Sequence, residues 1–157
     1  MDFLDALKVI GIGMLPVAEL RGAIPIAISV YNFQWYTAYI LGIIGNLLPI
    51  PFILLFLNSI IPWLRRISFM TKIIDWFLNR TRARGKIVER YEWLGLMVFV
   101  SIPLPFTGAW TGAILAVLLG LKFKEAFSAI VTGVLISGAI VTAATVLGWA
   151  VAGLFTT

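Results

Sequence analysis

Two charged side chains, Glu19 and Arg21, interrupt an apolar part of the chain that reads Pro-Val-Ala-Glu-Leu-Arg-Gly-Ala-Ile-Pro from Pro16 to Pro25. If such a segment lies within a membrane, its charges are costly and usually face a cavity and a partner. A glutamate there can take up and release a proton, and an arginine can hold an anionic group such as phosphate. We predict these two roles for Glu19 and Arg21. The competing interpretations are a structural salt bridge that pins a turn, and a turn that lies nearer the membrane surface.

A second motif has polar groups but no charge. From Ile102 to Ala113 it reads Ile-Pro-Leu-Pro-Phe-Thr-Gly-Ala-Trp-Thr-Gly-Ala. The helix expected to follow its prolines would offer free N–H groups and the positive end of a helix dipole to an anion. The alternative is a tight turn with close helix packing, which small residues at four-residue spacing favour. Those small residues are Gly108, Gly112, Ala116 and Gly120.

One further polar residue, Asn46, lies near the middle of a long apolar segment. It could line the same site or form a hydrogen bond between helices. The complete set of predicted substrate- or ion-binding residues is Glu19, Arg21, Pro25, Asn46, Pro103, Pro105, Thr107, Gly108, Trp110 and Thr111.

The composition excludes several kinds of chemistry and an ordinary soluble fold. Of the 157 residues, 61% are hydrophobic and 12% are charged, against roughly 45–50% and about 25% in soluble domains. Because the chain has no Cys and no His, a thiolate nucleophile, an imidazole base and the common zinc sites are excluded. We therefore expect no enzyme activity, no metal and no cofactor.

The apolar stretches can be measured against a hydrocarbon core that a helix crosses in about 20 residues. Residues 35–63, which follow an aromatic belt, and residues 124–155 are each long enough to span it. Residues 93–121 are interrupted by prolines, so each arm has only about 10 to 13 residues, and both flanks are basic. A re-entrant helical hairpin satisfies this length and the rule that basic flanks stay in the cytoplasm. Residues 3–33 also consist of two short apolar arms around a polar interruption, and we predict a re-entrant hairpin there as well.

The segment 65–92 carries the whole net charge of +5 in the chain, with eight basic and three acidic residues. Apolar residues recur on one helical face, so we predict an amphipathic connector on the cytoplasmic side of the cytoplasmic membrane. We expect its basic residues to contact anionic lipid headgroups rather than nucleic acid. These residues are Arg65, Arg66, Lys72, Arg80, Arg82, Arg84 and Lys86.

The predicted fold class is therefore an all-α integral membrane protein, in a single domain over 1–157. Residues 1–64 and 93–157 form two repeats, each a re-entrant hairpin followed by a spanning helix. Gly22 and Ala23 correspond to Gly108 and Ala109, and after a two-residue shift Gly45 corresponds to Gly133. Each hairpin returns to its own side of the membrane and each long helix crosses it once. The two halves are therefore predicted to have opposite orientations in the membrane, with both termini outside. The N-terminus lacks the basic region of a signal peptide, so we expect it to belong to the mature fold. The small size favours a homodimer.

The segments 16–25 and 102–113 resemble the two signature stretches of the small multidrug export family, and the resemblance covers nearly the whole chain. That family is similar in fold to the DedA or VTT superfamily of opposed re-entrant hairpins, although the second hairpin here lacks the arginines that DedA proteins place there. The resemblance implies a small membrane transporter: a proton-coupled secondary transporter or lipid flippase with a site near the membrane midplane. The alternatives are a passive scramblase or membrane-shaping protein, a drug exporter, and a subunit of a larger complex.

Overall fold

The computed structural model describes residues 2–56, 85–104 and 107–155. Within these ranges every regular element is a helix. The helices are α1 (Phe3–Met14), α2 (Glu19–Ser29), α3 (Trp35–Leu47), α4 (Gly85–Ser101), α5 (Ala109–Leu118) and α6 (Phe123–Phe155). Most of the predicted connector, including Arg65, Arg66, Lys72, Arg80, Arg82 and Arg84, lies outside the described residues, as does Pro105. Lys86 falls within α4, which begins inside the segment assigned to the connector.

Two helices are long and apolar enough to cross a membrane. Trp35–Phe56 has 22 residues and a mean hydropathy of 2.1, and Phe123–Gly148 has 26 residues and a mean hydropathy of 2.2. The first of these combines α3 with a helical stretch over 50–56, and a turn separates the two at 48–49. That turn falls beside Pro49 and Pro51, where the missing backbone N–H groups interrupt the helical hydrogen bonds.

Helices α1 and α2 form the first hairpin. α1 ends at Met14 because Leu15, which precedes Pro16, takes an extended conformation. A turn over 15–18 follows, closed by a hydrogen bond from Glu19 N to Leu15 O of 2.9 Å. The hairpin pattern of residues 3–33 predicts an irregular tip over Glu19 to Pro25, between its two apolar arms. This is wrong, since Glu19, Arg21 and Pro25 all lie inside α2. Pro25 is tolerated there, although it offers no N–H to the carbonyl of Arg21 one turn earlier.

Helices α4 and α5 form the second hairpin, and residues 102–104 and 107–108 between them are not helical. α4 ends just before Pro103, where continuing the helix is disfavoured. α5 ends at Leu118, and the turn that follows contains Gly120, whose φ of 72° lies in the left-handed region that glycine adopts without steric cost. The hydrogen bond from Leu121 N to Ala116 O, 3.0 Å long, closes that helix end and leads the chain into α6.

Each hairpin packs against the long helix that follows it, and the two long helices pack against each other. The crossings are closest at two glycines. A Cβ atom added to Gly45 of α3 would lie 2.5 Å from Ile10 O of α1, and one added to Gly133 of α6 would lie 2.8 Å from Met97 O of α4. Backbone therefore meets backbone at both crossings, which only the absence of a side chain permits.

Gly45→Ala should destabilise the protein by about 1–3 kcal/mol, the usual cost of overpacking a closed contact. The new methyl group would meet a backbone carbonyl, which cannot rotate away. Gly11→Ala is the matched control, because an added Cβ there has nothing within 4 Å. Thermal unfolding in detergent micelles measures both variants. Equal unfolding temperatures for Gly45→Ala and the wild type would contradict the close crossing of α1 and α3.

Candidate functional site

The turns of the two hairpins meet, and Glu19 lies where they meet. Glu19 is the first residue of α2 and is only 5% exposed. Its Oε1 accepts a hydrogen bond from Trp110 N of α5 at 3.4 Å, and its Oε2 lies 3.4 Å from Arg21 Nη2. A buried carboxylate is thus held between its own hairpin and the start of α5.

The backbone of Glu19 is unusual as well. Among the described residues only Glu19 (φ 46°) and Asn32 (φ 53°) have positive φ without being glycine. Asn tolerates this left-handed region, whereas for Glu the conformation costs about 1 kcal/mol. This conformation also lets Glu19 and Arg21 pair although they are two residues apart, a spacing that puts side chains on different faces of a regular helix. Such strain persists where the surroundings impose it, which is common at functional sites.

Gly108 explains how closely the second hairpin approaches this carboxylate. A Cβ atom added to Gly108 would lie 1.9 Å from Glu19 Oε2 and 2.3 Å from Oε1. The carboxylate therefore occupies the space that any side chain at position 108 would need. Because Gly108 is the N-cap of α5, the negative charge lies at the positive end of that helix dipole, where it is stabilised.

Arg21 links the two hairpins from the other side. Its Nη2 donates a short hydrogen bond to the carbonyl oxygen of Thr107 and also faces Glu19. Both contacts use one of the guanidinium nitrogens, and the Arg21 side chain is 23% exposed. The ion pair is therefore part of a bridge between the hairpins, and its positive member is more accessible than its negative member.

The hydroxyl groups of the second turn shape the turn itself. Thr107 Oγ1 donates to Ile102 O at 2.6 Å and accepts from Leu104 N at 3.1 Å. Thr111 Oγ1 accepts from Gly108 N at 3.0 Å. These bonds hold the Thr107 carbonyl and the α5 N-terminus toward the first hairpin. Thr107 and Thr111 thus position the site through the backbone.

Trp110 contributes two contacts of different kinds. Its backbone N–H reaches Glu19, and its indole Nε1 donates to Met14 O at 3.2 Å. Met14 was missed by the sequence reasoning. The last carbonyls of a helix lack partners within the helix, so the end of α1 before Pro16 was the signal that could have indicated an acceptor there.

Three of the other predicted site residues do not join this cluster through side-chain hydrogen bonds that the structure records. Pro25 lies inside α2, where its carbonyl accepts from Ser29 Oγ at 2.7 Å, and Pro103 lies in the second loop. Asn46 is 1% exposed and lies on α3 beside Gly13. In the described part of the chain its Oδ1 has no hydrogen-bond partner, so this buried acceptor does not serve as a bond between helices.

No group of three or more His, Cys, Asp or Glu side chains that could hold a metal ion occurs within residues 2–56, 85–104 and 107–155. The polar chemistry described here therefore rests on one carboxylate, one guanidinium and the backbone groups of two turns.

Over the described residues, the chain combines two apolar helices long enough to cross a membrane with a buried ion pair between helical hairpins, an arrangement compatible with a small membrane protein. Residues 19–140 match the model of the family described as "Putative small multi-drug export protein", and the chain belongs to that family. The match begins at Glu19, directly after the first turn, includes α2 to α5 and more than half of α6, and confirms the resemblance to this family. The family description indicates a small membrane export or transport protein. No curated protein and no solved structure matches the chain significantly.

Proposed function

We propose that this protein is a proton-coupled secondary transporter or lipid flippase whose substrate site lies between the two hairpin turns. The observation that carries the proposal is the buried Glu19 carboxylate, held by Arg21 and by the N-terminus of α5. A salt bridge that only pinned one turn would not need donors from the other hairpin. Here the same charges connect the two hairpins, so a change in their charge state alters how the hairpins meet.

We further propose that the two halves are inverted repeats with re-entrant hairpins. Gly45 and Gly133, which correspond in the two halves, occupy matching close crossings with the first arm of their own hairpin. The two long helices also run in opposite directions. Tyr39 OH donates a hydrogen bond to Leu135 O, whereas Trp35, one turn earlier in α3, lies beside Thr142 and Val146, which come later in α6. Broken helices that meet at the interface of inverted repeats are a recurring plan for transporter sites.

The contact between Arg21 and Thr107 supports the same arrangement. The correspondence of Gly22 with Gly108 makes Arg21 equivalent to Thr107, and these two residues, 86 positions apart, are joined by a hydrogen bond. Equivalent residues approach each other only near the axis that relates two repeats. The bridge would therefore lie close to that axis, where both halves can contribute to one site.

The geometry suggests how a proton and an anion are coupled. When Glu19 is ionised, its carboxylate occupies the place that an external anion would take beside Arg21 and the α5 N-terminus. Protonation removes this charge and frees the Arg21 guanidinium and the Trp110 N–H for an anionic group. Proton binding and anion binding therefore favour each other, which is the requirement for cotransport in one direction. The anionic group could belong to a solute or to a lipid headgroup.

The family description favours a second candidate, export of drug-like solutes. A cationic drug would compete with the proton for Glu19, so the two would move in opposite directions. The direction of the imposed pH gradient that drives movement therefore separates the two candidates.

Transport by the purified protein in liposomes tests the proposal. An inward proton gradient should drive uptake of a radiolabelled organic phosphate or carboxylate, or inward movement of a fluorescent anionic lipid. A rate that ignores the gradient would contradict proton coupling and favour a passive scramblase. Absence of movement for all anionic solutes, cationic drugs and lipids would contradict a transport function and favour a subunit of a larger complex.

Replacement of Arg21 should show whether its guanidinium binds the transported anion or only joins the two hairpins. We expect Arg21→Lys to keep the positive charge but to weaken substrate affinity about tenfold, because lysine lacks the planar fork that binds carboxylate and phosphate. Arg21→Gln should abolish anion transport. Substrate titrations of the uptake rate measure both effects. Lys8→Gln is the control, since Lys8 is exposed on α1, where it pairs with Asp5 and lies over the ring of Tyr31. An unchanged half-saturating concentration in Arg21→Lys would remove Arg21 from substrate binding.

We also propose that the protein resides in the cytoplasmic membrane as a homodimer, with its termini outside and the connector inside. The concentration of all net positive charge in residues 65–92 supports the cytoplasmic placement of that segment and its contact with anionic lipids.

A further inference from the structure

Trp110 contacts both ends of the first hairpin turn. Its backbone N–H donates to the carboxylate of Glu19, directly after that turn, at 3.4 Å. Its indole Nε1 donates to the carbonyl oxygen of Met14, directly before the turn, at 3.2 Å. Met14 is the last residue of α1 and Trp110 is the second residue of α5, and backbone groups at such helix ends lack partners within the helix. One residue of the second hairpin therefore uses two separate donors to hold the turn of the first.

Three hydrogen bonds that join the two hairpins in the described part of the chain involve different kinds of groups. The bond from Trp110 N has the Glu19 carboxylate as its acceptor, so it weakens when that carboxylate takes up a proton. The short bond from Arg21 Nη2 to Thr107 O uses the guanidinium, so an anion bound to Arg21 competes with it. The bond from the Trp110 indole to Met14 O joins a neutral donor to a neutral acceptor. This third bond, the indole bond, is therefore insensitive to both the proton and the anion.

The charges around Glu19 leave its own protonation as the event that weakens the first bond. Arg21 of the same helix faces the carboxylate, and α5 presents the backbone N–H groups of Ala109 and Trp110 to it. Helices α3 and α5 contain no charged residue. The charged residues of the other two helices packed against α2 lie in the first two turns of α1 and the first turn of α6, and they are Asp5, Lys8, Lys124 and Glu125.

The indole bond has the size needed to restrain a conformational change. One neutral hydrogen bond shifts an equilibrium roughly threefold to tenfold. Under the proposed function the site opens to the two sides of the membrane in turn, so the contacts between the hairpins break during each cycle. A contact that neither ligand weakens favours the joined arrangement at every stage of that cycle.

We propose that the indole bond of Trp110 keeps the two hairpins joined until a proton on Glu19 and an anion on Arg21 have weakened the other two bonds. Either ligand alone leaves two of the three bonds in place, so the hairpins part only when both are bound. Trp110 is thus a positioning residue that enforces the coupling of proton and anion. This inference rests on the proposed function, since it assumes that the hairpins part during transport.

Hydrogen exchange of the purified protein in lipid nanodiscs tests the indole bond without any substrate. Trp110→Phe keeps an aromatic ring and the backbone N–H but removes the indole donor. Exchange of amides at the hairpin turns reports the fraction of molecules in which the hairpins have parted. We therefore expect residues 15–22 and 107–112 to exchange threefold to tenfold faster in this variant, and both segments to change together.

Trp93→Phe is the matched control. It removes an indole donor of the same kind, whose bond to Ser128 Oγ is 2.8 Å long, but that bond joins α4 to α6 within the second half of the chain. The exchange of residues 15–22 and 107–112 should therefore remain as in the wild type.

Proton leak into liposomes distinguishes control of coupling from a purely structural contact. With a pH-sensitive dye inside and no substrate present, the wild type should leak slowly, because a proton alone weakens one of the three bonds. Trp110→Phe should leak protons threefold to tenfold faster, and Trp93→Phe should leak as the wild type does. A contact that only stabilised the fold would lower the unfolding temperature without increasing the leak.

The inference is overturned if Trp110→Phe exchanges these amides as the wild type does, or if faster exchange in this variant brings no faster proton leak. Failure of the proposed function has a different result. Gradient-driven uptake would then be absent from the wild type itself, while hydrogen exchange would still show whether the indole bond holds the hairpins together.

Discussion

Glu19→Gln is expected to abolish uptake driven by a proton gradient while leaving the protein folded. Glutamine keeps the size of the side chain and can still accept a hydrogen bond from Trp110 N, but it cannot exchange a proton. One pH unit across the membrane is worth about 1.4 kcal/mol, or roughly tenfold accumulation at one proton per substrate. We therefore expect about tenfold accumulation by wild-type liposomes and none by the variant, measured as labelled substrate retained at the plateau.

The matched control for this variant is Glu125→Gln. Glu125 lies in the first turn of α6, and its side chain is 36% exposed and 3.7 Å from Lys122, so its replacement removes a carboxylate that is accessible to solvent. This control should accumulate substrate as the wild type does. Undiminished accumulation by Glu19→Gln would remove Glu19 from the coupling mechanism, even if the transport function itself remained.

Gly108→Ala should displace the Glu19 carboxylate from the N-terminus of α5. The new methyl group would lie within 2.5 Å of three carboxyl atoms of Glu19, and a glutamate side chain can rotate away more easily than a backbone can move. The displaced carboxylate would lose its hydrogen bonds from the buried site, at a cost of about 1–3 kcal/mol. We expect a lower unfolding temperature in detergent and a loss of coupled transport.

A double-mutant cycle isolates this contact. In a Glu19→Ala background the carboxylate is absent, so adding Gly108→Ala should have little further effect on stability. Gly95→Ala provides the control within the second hairpin, because an added Cβ there has nothing within 4 Å. If the Gly108→Ala and Glu19→Ala effects simply add, the close approach of Gly108 to the carboxylate is contradicted.

Sequence reasoning singled out Glu19 and Arg21 because charged residues are only 12% of this chain. The pair stands between two apolar arms of residues 3–33, so its charges were conspicuous in the sequence. Hydrophobicity likewise predicted α6 and the span over Trp35–Phe56, while residues 57–63 of the first predicted span lie outside the described residues. These are properties of composition and length, which a sequence displays directly.

The glycines show where sequence reasoning reached its limit. The stripe of Gly108, Gly112, Ala116 and Gly120 predicted helix packing, and Gly112 fits that role, since an added Cβ there would lie 2.5 Å from Val100 Cγ2. Gly120, however, lies in the turn after α5 in a left-handed conformation, and Gly108 accommodates a carboxylate from the other hairpin. Spacing alone does not distinguish these roles, because they depend on which distant residue arrives beside each glycine.

The same limit applies to the connection between the hairpins. The Arg21 bond to the Thr107 carbonyl and the Trp110 bond to the Met14 carbonyl both use backbone acceptors. Every residue carries a backbone carbonyl, so no residue type indicates which carbonyls accept the hydrogen bonds between the hairpins. The positive φ of Glu19 belongs to this group as well, since it follows from the turn and from the packing around it.

The pairing of Glu19 with Arg21 has an electrical consequence. With Glu19 ionised the empty site holds one negative and one positive charge, and its sum is zero. With Glu19 protonated and a monovalent anion beside Arg21, the sum is again zero. Under the proposed mechanism neither form would move net charge across the bilayer, so neither would work against a membrane potential that acts with about 2.3 kcal/mol per charge per 100 mV. Such a carrier would respond to the pH difference across the membrane and be indifferent to the voltage.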